Sequence, residues 1–190
     1  MPNLNRVYSQ RIAQSFKRLD PWNVDWGAAW YREAHTEAVK LGEEHGIGTD
    51  KAAAILAVLS PGAKWEHNIE DARAVCIDGW AAVVTTYPAN KEKALNILKS
   101  SNHTQFVRGK KVRAFYENIN YPGSSAAVTL DRHMLRFLLR TEDNKELCKV
   151  FASPKRYERL AEEIRRKAYR EGLKPNQLQA MLWLQLRQDN

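Results

Sequence analysis

Residues 51–59 read KAAAILAVL, and eight of them in succession, 52–59, are apolar. Ala and Leu are among the strongest helix formers. Thr49-Asp50 is the kind of pair that caps a helix, and Ser60-Pro61-Gly62 ends one. The expected element is therefore a short helix with almost no polar face. Such a helix cannot lie on a surface, because an all-round apolar helix is stable only when other elements enclose it. The rest of the chain has to supply that enclosure.

The flanking sequence offers helices for it. Periodicity and breakers predict helices over residues 5–17, 25–44, 65–84, 91–100, 108–118, 133–139, 154–171 and 175–188. Leu19-Asp20-Pro21 breaks the first, and Gly46-Ile47-Gly48 ends the second. Residues 121–125 read as a turn and residues 128–130 as a short extended approach to the next helix. Few segments alternate with period two, so the expected fold class is all-α. No repeat interrupts the chain. Its 190 residues suit a single helical domain, 1–190, with N-terminal helices at 1–48, a core at 49–140 and C-terminal helices at 141–190. Trp22, Trp26 and Trp30 fall four apart on one helical face, a spacing read here as packing.

Charge narrows the partners. Thirty Lys and Arg face 22 Asp and Glu, a formal net charge of +8. An excess of this size attracts polyanions. DNA is the expected partner, with RNA the alternative. No apolar run approaches the ~18 residues of a membrane span, so no membrane partner is expected, and the chain is read as a monomer. The first twenty residues are basic but lack the apolar stretch of a signal peptide. Cys76 and Cys148 stand far apart with no CxxC, which suits reduced thiols and a cytoplasmic location, the host's cytoplasm if a phage encodes the chain. His35, His45, His67, His103 and His133 are scattered without metal-site spacing, so neither metal nor cofactor is expected.

The chemistry concentrates in residues 109–136, GKKVRAFYENINYPGSSAAVTLDRHMLR. A carboxylate, Asp131, follows a short apolar stretch and opens an amphipathic helix. Arg132, His133 and Arg136 lie downstream, and Arg108, Gly109, Lys110, Lys111 and Arg113 upstream. By itself Asp131 is explained as an N-cap, where free N–H groups and the helix dipole favour the anion.

The segment also resembles the helix-hairpin-helix DNA glycosylase superfamily, the group that includes endonuclease III. Val128-Thr129-Leu130-Asp131-Arg132-His133 is similar to the V-D-x-H element of that family, whose Asp is the catalytic carboxylate. Lys111 stands twenty residues before Asp131 and Lys110 twenty-one, near the spacing of the lysine nucleophile in bifunctional members. Leu59-Ser60 matches the family's L-S on an early buried helix, and Asn68 its later Asn. The resemblance covers about half the chain and implies a glycosylase-like helical bundle. Its hairpin is degenerate or missing: residues 106–111 read FVRGKK, with one glycine where the family has two, and Ala63 stands where the family has Gln. On a second alignment GKKVRAFYENI is the helix before the hairpin, and neither lysine is then the nucleophile. There is no four-cysteine iron–sulfur signature.

The resemblance implies an enzyme acting on a damaged or modified base flipped out of DNA. Asp131 would be catalytic, with Lys111 or Lys110 as nucleophile. Lys64, Trp65, Asn68, Arg108, Gly109, Lys110, Arg113, Arg132, His133 and Arg136 would bind the strand. Gln179 and Trp183, four apart on the last helix, would present an edge and a face to an extruded base, beside Ser60; the competing reading makes Trp183 core and Gln179 its polar neighbour. Some phage enzymes with a glycosylase-like fold instead carry out pyrophosphorylase or transferase chemistry on hypermodified thymine, which is the alternative activity. A nucleic-acid-binding module without catalysis is the third reading.

Overall fold

The computed structural model describes residues 4–188 of the chain, so the expected extent of 1–190 runs past the described residues at both ends. The described residues form ten α-helices and no strand, as an all-α chain should. They are α1 (Leu4–Phe16), α2 (Pro21–His45), α3 (Thr49–Leu59), α4 (Trp65–Asp78), α5 (Pro88–Lys99), α6 (Lys110–Asn120), α7 (Arg132–Leu139), α8 (Asn144–Phe151), α9 (Pro154–Arg170) and α10 (Pro175–Gln188). Short 3-10 turns occupy Gly79–Ala81 and His103–Phe106.

The helices fall into two compact units. One combines Met1–Tyr31 with Pro122–Asn190, and the other is Arg32–Tyr121. The junctions expected at 48/49 and 140/141 lie inside these units. No composition shift marks residues 31/32, because α2 runs through that point as one continuous helix.

In the unit Arg32–Tyr121, α3 packs against α4, α5 and α6. Residues 52–59 are all at most 1% exposed, as their composition requires. Full burial of Ile55, Leu56 and Leu59 is worth roughly 1.5–3 kcal/mol each. The N-cap of α3 is Gly48 at φ 77°, so Thr49 and Asp50 lie in the first turn instead of capping it. Asp50 there still favours the positive end of the dipole. α4 stops at Asp78, six residues short of the expected end, where Gly79 turns to φ 58°. The following loop is pinned by buried Asp71, whose carboxylate accepts from the Thr85 N–H (3.0 Å) and hydroxyl (2.8 Å).

In the other unit, Met134, Leu135 and Leu138 of α7 sit in a core with Ile12 of α1, Leu147 and Val150 of α8, Leu160 and Ile164 of α9, and Leu178 and Leu182 of α10. α8 was not expected. It is only eight residues long, and Asp143 caps it by accepting from the Lys145 N–H at 2.9 Å. α2 begins four residues earlier than its expected start, with Pro21 in its first turn and Asp20 Oδ1 accepting from the Trp22 N–H at 2.8 Å. The tryptophan stripe packs only in part. Trp22 and Trp26 are 49% and 51% exposed and pair with each other at 5.7 Å, whereas Trp30 meets Tyr31 and Trp183. Near that point α2 and α10 approach closely: a Cβ on Gly27 would come within 2.6 Å of the Met181 Cα.

Candidate active site

Asp131 is placed by three elements of one unit. Residues 128–130 lead into it without regular secondary structure, and Tyr157 of α9 fastens them from inside the core. The Tyr157 hydroxyl donates to the Val128 carbonyl at 2.9 Å and accepts from the Leu130 N–H at 2.8 Å. Burial pushes this phenol well above its ordinary range, so it stays a neutral two-way connector. The chain then enters α7 with Asp131 as N-cap, Oδ1 accepting from the Met134 N–H at 2.9 Å. The second oxygen faces α10, and the Trp183 indole N–H donates to Oδ2 at 2.8 Å.

Those two donors hold a half-buried carboxylate in one orientation. Each oxygen keeps a lone pair beyond the bond described. Trp183 is itself held. Trp30 packs edge-on against it at 6.0 Å, and the Arg187 guanidinium lies 4.9 Å from its ring centre. Beside it runs a buried polar chain in which the Tyr31 hydroxyl donates to Gln179 Oε1 at 2.7 Å and pairs with the Thr129 hydroxyl at 3.0 Å. Asp131, Thr129, Trp183, Gln179, Tyr31 and Trp30 thus form one connected cluster.

Arg132 and His133 are exposed on the first turn of α7, next to the carboxylate, and Arg136 is half-buried one turn further on. Gln179 differs from the base-reading role: it is 4% exposed and its Oε1 is engaged, which is the placement of a packing residue. Trp183 is half-buried and serves Asp131 directly.

The remaining expected residues belong to the unit Arg32–Tyr121. Arg108, Gly109, Lys110 and Arg113 are exposed around the start of α6, and Lys64 is exposed at the N-cap of α4. Gly109 caps that helix at φ 87°. Arg108 Nε donates to the Gln105 carbonyl (2.8 Å) and Arg113 Nε to the Val107 carbonyl (3.0 Å), which stiffens the loop between them. A four-residue 3-10 turn precedes this loop where a hairpin's first helix would stand. Lys111 is half-buried, with its ammonium 2.5 Å from the Ser60 hydroxyl and 5.2 Å from the Phe115 ring centre. Trp65 meets the same ring edge-on. Asn68 is 1% exposed and donates to the Leu56 carbonyl at 2.9 Å, inside the unit.

Sequence reasoning missed Trp30, Tyr31 and Thr129 as supports of the site. The four-residue tryptophan spacing was the one available signal, and the reading it favoured was packing over a base-stacking platform. Among the described residues no group of three or more His, Cys, Asp or Glu is placed to hold a metal ion.

A family model described as a family of unknown function, DUF7178, matches residues 2–190. No curated protein and no solved structure matches the chain.

Proposed function

The chain belongs to the DUF7178 family of unknown function, and from its own geometry we propose that it is a nucleic-acid enzyme of the glycosylase type, with Asp131 as its catalytic carboxylate. The observation that carries this reading is the fixed orientation of Asp131, one oxygen tied to the α7 backbone and the other to the Trp183 indole. Breaking an N-glycosidic bond sends its electron pair to the departing base and leaves positive charge on the sugar. A preoriented carboxylate anion stabilises that charge without having to reorganise. It also accepts a proton from the water whose oxygen bonds the sugar carbon. The base is first flipped out of the stack, which costs a few kcal/mol. The net charge of +8 supports binding of the strand. This hydrolytic route uses residues of one unit and needs no lysine nucleophile.

A specific observation favours a second reading, a binding module without catalysis. Both Asp131 oxygens already accept a hydrogen bond, which a purely structural cap would also show. The test is to incubate the protein with duplex and single-stranded DNA carrying normal, damaged and hypermodified pyrimidines, and to identify products by mass spectrometry. Release of a base is the expected result. Exchange of a group on the base, with the glycosidic bond intact, would replace hydrolysis by transfer chemistry at the same carboxylate. Tight binding with no product on any substrate would leave the binding module.

A further inference from the structure

A second basic feature lies in the same unit as Asp131. α1, α7 and α10 enclose a surface pocket of about 450 Å³ lined by Arg11, Arg18, Arg136 and Arg140, with Gln14, Ser15 and Gln185 among the other walls. The volume falls within the ~300–1,000 Å³ of small-ligand pockets. None of the lining residues is acidic. Arg11 donates to the Leu138 carbonyl near the end of α7, which fixes one guanidinium at the wall. Arg136 lies 2.8 Å from Glu142, an exposed carboxylate outside the lining set, so this pair is weak. Arg18 and Arg140 are exposed, and neither forms a salt bridge within the described residues. Burial, and then the nearby charge of Arg140, pushes the Arg11 guanidinium down from its ordinary value.

The backbone adds an independent sign. Arg140 closes α7 in the left-handed region, at φ 52° and ψ 52°. It is the single non-glycine residue with positive φ among the described residues. Glycine is the usual occupant of such a position, because a Cβ there is strained. The backbone alone therefore does not explain an arginine, and its side chain, turned to a pocket of three other arginines, does.

We propose that this pocket is a phosphate-binding site and takes a phosphodiester of the strand on which Asp131 acts. Arginine forks match phosphate oxygens in paired hydrogen bonds, which makes arginine the suited residue for this anion. Arg136 and Arg140 stand five and nine residues beyond Asp131, roughly 7–14 Å along the helix at ~1.5 Å per residue. At ~3.4 Å per nucleotide along a strand, that interval spans roughly two to four nucleotides. The pocket would so anchor the strand beside the flipped base. The strand part of this inference rests on the proposed function; the anion site does not.

The experiment measures affinity for labelled duplex and single-stranded DNA over a range of salt concentrations, together with the melting temperature in inorganic phosphate. It compares the wild type with the Arg18→Gln/Arg140→Gly double variant and with Lys145→Gln, an exposed lysine outside the pocket. Glycine keeps the Arg140 backbone conformation, so the double variant should fold. If the wild type binds DNA, the double variant is expected to lose about tenfold or more in affinity. Its log–log salt slope should become shallower by about 0.9 on duplex or 0.7 on single strands for each phosphate released, with Lys145→Gln showing less of either. Unchanged affinity and slope in the double variant would overturn the pocket and leave nucleic-acid binding standing. If the wild type binds no DNA even at low salt, the strand part is overturned, and inorganic phosphate then decides the site. Phosphate stabilising the wild type but not the double variant would assign a small phosphate ligand; equal effects on both would overturn the anion site as well.

Discussion

Asp131 has two donors of different origin, and they separate its roles. Capping alone predicts that Asp131→Asn is nearly neutral, since Asn caps about as well as Asp. The Trp183 indole changes this, because an amide placed with its oxygen at Met134 turns N–H groups toward another N–H. An unsatisfied buried donor costs about 1–3 kcal/mol; the indole and the carboxylate are half-buried, so Asp131→Asn is expected to lose stability toward the low end, about 1 kcal/mol. Trp183→Phe removes the opposing donor, and the double variant should recover part of the loss. A urea-denaturation double-mutant cycle measures this, and strict additivity would show that the indole contact carries no energy. Arg140→Gly is expected to gain about 1 kcal/mol by relieving the left-handed strain, while any binding by the pocket falls. The cap was legible in residues 128–133, because a carboxylate just before an amphipathic run is a local signal. Its partner was not: Trp183 lies 52 residues away, and nothing local marks an indole that will face a carboxylate.

Among the elements, α3 was the most legible and should be the most sensitive. Leu56→Ala is expected to cost about 2–5 kcal/mol, since it leaves a cavity inside a closed cluster. Gly27→Ala should cost about 1–3 kcal/mol through its clash with the α10 backbone at Met181. Trp22→Ala, at a half-exposed position, should stay within about 0.5 kcal/mol. Thermal or chemical denaturation ranks the three, and a Trp22 cost matching that of Leu56 would mean that the stripe packs after all. α8 escaped prediction because it is two turns long and buries only Leu147 and Val150, too little to show a period. α4 was read too long because Ile77, Trp80 and Val83 look like core and are exposed instead. The early start of α2 hides behind Pro21, which breaks a preceding helix and opens a following one equally well.

At the scale of the molecule, pH and charge are the two levers. Burial pushes the Cys76 thiol up to about 11 from 9.0 and raises the Tyr157 phenol as well. Each group is neutral when protonated, and the fold favours that form. The stability they contribute is therefore complete below the ordinary value and is lost as pH rises through the raised one. Urea midpoints should be insensitive to Cys76 below about pH 9 and should fall between about 9 and 11, and Cys76→Ala should flatten that fall. Cys148 is exposed and should react with a thiol reagent well before Cys76. The all-helical architecture was legible in the near absence of period-two segments. The division into two units was not, because it crosses an unbroken helix. The claim that joins these scales is that the Asp131 carboxylate does chemistry on nucleic acid. The most direct measurement is single-turnover rate beside DNA affinity, for wild type and Asp131→Asn, on a substrate that the wild type processes. The account predicts a rate lower by orders of magnitude with affinity kept or raised, since an amide neither accepts the proton nor stabilises positive charge. An Asp131→Asn protein with the wild-type rate would contradict it and reduce the carboxylate to a helix cap.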